Sequence, residues 1–167
     1  MSDAAKNRLI RILSHGAVLL VLYVLQGMVF SRLRLFGVAP LILPLAVVGV
    51  ALFEGPDWGG GFGIAAGVLC DIALGTTALF TILLAALGLG VGLLSTYLLS
   101  RGLPSYLLCG AVALLVIAAF QMFPLLVFLR QSPGALLRVA GLQSVYSMLF
   151  TLPLYYVGRS LGRQARN

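Results

Sequence analysis

The sequence predicts an all-α, polytopic membrane protein with six transmembrane helices and both termini in the cytoplasm. Three observations carry that reading. Hydrophobic residues make up 61% of the 167 positions and charged residues only 9%, where a soluble domain carries about a quarter. Mean hydropathy is +1.11. The apolar residues fall in runs near the ~20 residues needed to cross a bilayer core of about 30 Å. The 11 Lys and Arg against 4 Asp and Glu give a net charge of +7. These basic residues stand at the ends of the apolar runs, not in a patch interleaved with aromatics, so they read as topology signals and not as a nucleic-acid surface.

The first span is expected at about 12–31. Lys6, Arg8 and Arg11 precede it, no small-residue cleavage motif closes it, and Arg32 and Arg34 stop it. The second, about 38–53, carries Pro40 and Pro44 near its start, where a helix tolerates proline, and ends at Glu54-Gly55-Pro56-Asp57. From Trp58 to Ser100 the only charge is Asp71. One helix over Gly59 to Ser100 would be about 63 Å long, twice the membrane core, so the chain must fold back. Gly75-Thr76-Thr77 is the best turn signal, giving a third span at 59–75 and a fourth at 79–100. The fifth is placed at 106–129, with Pro124 expected to kink it. The sixth is placed at about 135–158, after the Ser132-Pro133 start signal, and a short basic tail follows from Arg159. Six spans put seven basic residues (Lys6, Arg8, Arg11, Arg101, Arg159, Arg163, Arg166) on the side of the termini and four (Arg32, Arg34, Arg130, Arg138) on the other, which orients the termini inward.

Candidate functional residues are few. Asp71 is an ionisable residue in a span, which is costly at the bilayer centre. It lies about 6 Å of helix rise before the expected turn. There it can accept hydrogen bonds from open amides around Gly75 to Thr77, or contact a partner. A proton relay lacks a second carboxylate, Lys or His at depth. Gly63, Gly67, Asp71 and Gly75 recur every four residues and form one small-residue stripe; Gly88 and Gly92 repeat the device in the next span. Small residues let helices approach closely in lipid, so a tight hairpin is expected, with Gly88 and Gly92 internal and the Gly63–Gly67 face turned outward to a partner helix. Gln26, Gln121 and Gln143 are neutral polar residues within spans, suited to bonding between helices or to lining a ligand cavity. His15 is expected at the membrane interface, and Trp58, Tyr155 and Tyr156 as interface anchors. Cys70 and Cys109 read as core filler, with no CxxC or metal-ligand spacing. There is no HExxH, and Gly59-Gly60-Gly61 lacks the Lys-Ser/Thr of a phosphate loop. No catalytic, cofactor or metal site is expected.

Gly55-Pro56, Gly61-Phe62 and the series Gly67-x-x-x-Asp71-x-x-x-Gly75 together resemble the signature region of the rod-shape-determining membrane protein family MreD. Gln26, Gly37 with Pro40, and Thr151, Pro153, Leu154 and Tyr155 before a basic tail extend the similarity thinly along the chain. The resemblance implies a non-enzymatic scaffold subunit of the bacterial cell-wall elongation machinery in the inner membrane. It would bind an MreC-like single-span protein and work with an MreB-like filament and a glycosyltransferase and transpeptidase pair. It also implies a fold similar to the substrate-binding subunits of energy-coupling-factor transporters, so a vitamin-type binding subunit is the alternative function. A channel or carrier would need a ring of charges or paired membrane carboxylates.

Overall fold

The computed structural model describes residues 3–30, 42–97, 102–128, 134, 141, 147, 148 and 151–164. The described residues are all-helical or in short turns, with no strand. Helix α1 spans Asp3–Val24 and continues as a π-helical turn over Leu25–Phe30. It is followed by α2 (Ile42–Glu54), α3 (Pro56–Leu74), α4 (Leu79–Tyr97), α5 (Leu103–Phe128) and α6 (Thr151–Gln164). Among the described residues, three stretches are long and apolar enough to cross a membrane: Leu9–Met28, Leu79–Tyr97 and Leu103–Gln121. They mark a membrane protein. Much of the expected sixth span, and Gln143 within it, lies outside the described residues.

The shortest of the central helices is the most deeply enclosed. Every residue of α2 from Ile42 to Leu52 is buried, because α3, α4, α5 and α6 all pack around it. A helix apolar on every side has no face to give to solvent, and its place is the centre. Pro44 sits in its first turn, where no intrahelical N–H bond is lost. At its far end only Gly55, with φ of 97°, separates Glu54 from Pro56. Glycine permits that backbone, and Pro56 starts α3 with its φ already helical.

Among the described helices, α3 and α4 share the most extensive contact. Gly75, in the left-handed region at φ 66°, ends α3. The amides of Gly75 and Thr76 both return to the carbonyl of Asp71, the closing pattern that a left-handed glycine makes possible. α5 runs unbroken through Pro124. On the other side of the core, Tyr106 is fully buried and donates its hydroxyl to the Leu45 carbonyl at 2.9 Å. Tyr155 packs on Tyr106 and on Phe53, at ring separations of 5.7 and 5.5 Å. Tyr155 is thus a core residue and not the expected interface anchor, whereas Tyr156 is exposed. Cys70 and Cys109 are both buried free thiols.

Candidate functional site

The residues of the Gly-rich motif converge on the α3–α4 hairpin. Helix α4 begins badly by its own sequence: its first intrahelical bond runs from Ile82 N–H to the carbonyl of Ala78, so Ala78 occupies the N-cap position without a side chain able to cap. Ala78 also has positive φ, 58°. The missing cap comes from the neighbouring helix. Asp71 Oδ1 accepts from Phe80 N–H at 3.0 Å and from the Thr76 hydroxyl at 2.5 Å. Its Oδ2 accepts from Thr81 N–H at 2.8 Å and the Thr81 hydroxyl at 2.6 Å. A carboxylate on two open amides of a helix start is also favoured by the helix dipole. The sequence reading placed Asp71 on amides of the turn itself; the backbone amides it binds belong instead to the first turn of α4.

Below this lock the two glycine stripes face each other. A Cβ added at Gly63 would meet the Leu84 carbonyl, and one at Gly67 the backbone of Thr81 and, at 2.7 Å, the Phe80 carbonyl oxygen. At Gly88 it would meet the Gly59 carbonyl, and at Gly92 it would lie 2.6 Å from the Pro56 nitrogen. Both stripes are therefore internal, and the expectation of an outward Gly63–Gly67 face is overturned. Each stripe is the surface the other needs: backbone-to-backbone packing requires glycine on both sides of the seam. Gly59 belongs to the seam as well, since a Cβ there would come within 2.8 Å of the Gly88 carbonyl oxygen. Its four-residue spacing to Gly63 was the available signal.

A second polar cluster was missed. His15 is buried, at 5% exposure, between α1 and the α2–α3 corner. Its Nε2 lies 2.7 Å from Glu54 Oε1 and its Nδ1 2.7 Å from the Arg11 carbonyl oxygen. Arg11 donates to Glu54 Oε2 through Nη2 at 2.7 Å and Nε at 3.1 Å. The Glu54 side chain is completely buried. Trp58 closes the cluster, with the Arg11 guanidinium 4.2 Å from its ring centroid and the His15 ring 4.9 Å away. Phe62 meets the other part of the imidazole edge-on at 6.2 Å. The sequence does hold a buried carboxylate and histidine pair, assembled from residues 39 positions apart. The four-residue spacing of Arg11 and His15, which puts both on one face of α1, was the only local sign.

The remaining polar candidates are dispersed. Gln26 lies in the π-helical turn, and its Oε1 accepts from the N–H groups of Ile42 and Leu43 at 3.1 and 3.0 Å. It caps α2 across the seam. Gln121 is half-buried on α5 and joins neither cluster. One cavity, of about 10 Å³, is lined by apolar residues that include Val18, Leu22, Val50 and Leu154. That is room for one water, against roughly 300 Å³ or more for a ligand pocket. Among the described residues, no three His, Cys, Asp or Glu side chains come together as a metal site. No protein-family model, curated protein or solved structure matches this chain.

Proposed function

We propose that this chain is a non-enzymatic membrane scaffold of the MreD type. It crosses the bacterial inner membrane six times with both termini in the cytoplasm and binds an MreC-like single-span protein of the cell-wall elongation machinery. The observation that carries the reading is the use made of the motif. Gly67, Asp71 and Gly75, with Gly59, Gly63, Gly88 and Gly92, are all spent on building the α3–α4 hairpin. Asp71 has both oxygens engaged in four hydrogen bonds, which suits a structural part better than an ion-coupling one. The hairpin and α2 then form a filled block. Its outside carries exposed apolar side chains such as Ile64, Ile72, Ile82 and Leu93, the surface that lipid or another helix covers in a membrane.

An even number of crossings is supported by the chain ends. His15, near the start of the expected first span, meets Glu54 at the α2–α3 corner, and Tyr155, near the end of the expected sixth span, meets Phe53 at the same corner. With both glycine stripes consumed internally, the partner surface belongs to the outer faces of the bundle. The test is co-purification of the tagged chain, from membranes, with an MreC-like protein and an MreB-like protein expressed beside it. Recovery of the MreC-like protein at a fixed ratio is the expected result. No recovery, together with tight binding of a vitamin by the purified chain, would replace this reading by the transporter-subunit one. For the topology, cysteines placed at Thr76 and Arg163 should label from opposite sides of the membrane; labelling of both from the cytoplasm refutes six spans in this orientation.

A further inference from the structure

Helix α1 is the loosest of the long helices. Only 17% of its Leu9–Met28 stretch is buried inside the protein, and Leu13, Leu20, Val21 and Met28 all face outward. Besides Leu19 and Leu22 in the core, two polar points among the described residues tie it to the bundle. One is Gln26 on the first amides of α2. The other is the Arg11–His15–Glu54 cluster. The second point has a built-in condition. Both ring nitrogens of His15 face oxygen atoms that accept: the Arg11 carbonyl at Nδ1 and the Glu54 carboxylate at Nε2. A doubly protonated imidazolium donates to both. A neutral ring has one N–H, so one nitrogen lone pair is left against an oxygen lone pair at 2.7 Å.

We propose that Arg11, His15 and Glu54 form a protonation-dependent latch that fastens α1 to the α2–α3 corner, closed when the imidazole carries two protons and loosened when it carries one. Histidine is the side chain whose charge ordinarily changes between pH 5 and 8. The described charged groups facing His15 are Arg11 on its own helix and Glu54 on α2. Helix α3 presents the uncharged rings of Trp58 and Phe62, and α6 meets this side of α1 through Leu154 and Val157, beside Val18 and Leu22. Arg11 stays bound to Glu54 in either state, so the latch loosens without leaving the carboxylate bare. α1 then retains two polar attachments, the Arg11–Glu54 pair and Gln26, and loses the one through His15, with a hinge in the π-helical turn, where the helical hydrogen-bond pattern is already interrupted.

The sequence contains one His and one Trp, which makes the latch directly readable. An imidazolium in contact with indole quenches its emission, so Trp58 fluorescence of the whole chain in detergent micelles should rise between pH 5 and pH 8 as a one-proton transition. Loss of one charge-assisted bond shifts an opening equilibrium by about tenfold or more. Amide exchange along α1, divided by the intrinsic rate at each pH, should accelerate by that factor at pH 8, while α3 and α4 stay unchanged. His15→Gln should remove both pH responses. Glu54→Gln, which presents no charged acceptor to the ring, should flatten the exchange response. Wild-type emission that is flat from pH 5 to 8, α1 exchange that follows only the intrinsic rate, or a response preserved in His15→Gln would each overturn the latch. The wild-type titration decides even if a variant does not fold.

Discussion

Gly88→Ala and Gly90→Ala add the same methyl group two positions apart on α4 and should have opposite effects. At Gly88 the new Cβ would meet the Gly59 carbonyl oxygen and lie 2.6 Å from its carbon and 3.2 Å from the Gly60 nitrogen. Unstrained carbon contacts are about 3.5 to 4.0 Å, so the deficit is near 1 Å. The obstacle is backbone, which cannot rotate away as a leucine tip can. The helices must therefore part, and contacts at Gly59, Gly63 and Gly92 loosen with them. Overpacking of this kind costs about 1 to 3 kcal/mol. At Gly90 nothing lies within 4 Å, and alanine exceeds glycine in helix preference by about 0.5 to 1 kcal/mol. The two variants should differ by about 1.5 to 4 kcal/mol in reversible unfolding in mixed micelles, followed by far-UV circular dichroism, with Gly90→Ala at or above wild type. Gly63→Ala and Gly61→Ala repeat the contrast on α3, since Gly61 is likewise open. Equal stability of Gly88→Ala and Gly90→Ala would refute the backbone seam.

Asp71→Asn should lower folded yield measured by size-exclusion chromatography, because one of the two backbone amides bound by the carboxylate would then face an NH₂ group; Asp71→Leu should lower it further, and a wild-type yield for the leucine variant would contradict the capping role. Tyr106→Phe removes a buried hydroxyl donating to Leu45 and should reduce unfolding stability by about 1 kcal/mol without changing helix content. Gln26→Leu leaves the first amides of α2 without their acceptor and should cost about 0.5 to 2 kcal/mol in the same assay, whereas Gln26→Glu keeps an acceptor oxygen and should retain more of the stability.

By itself the sequence determined what depends on neighbours along the chain. An overwhelmingly apolar composition leaves only helices that satisfy their backbone internally in lipid. The stretch after Trp58, whose only charge up to Ser100 is Asp71, is too long for one crossing, and Gly75 supplies the left-handed residue that a reversal requires, so the fold-back falls where α3 ends. The four-residue spacing of glycines foretold a close helix pair. Which surface a stripe faces was decided only in three dimensions, because periodicity gives the face of a helix and not the direction of that face. Gly63 and Gly67 turned inward because the carbonyls of α4 come nearest there. Asp71 and Ala78 show the same division. A cap is normally read from the residue beside the helix start, and here the cap comes from seven residues earlier on another helix. The Arg11–His15–Glu54–Trp58 cluster was the least legible, since α1 contributes two residues of an arrangement whose acid and indole arrive only when the α2–α3 corner packs against it. Hydrophobic pattern is local and survives in one dimension; the pairing of buried polar groups depends on which helices become neighbours, and only packing sets that.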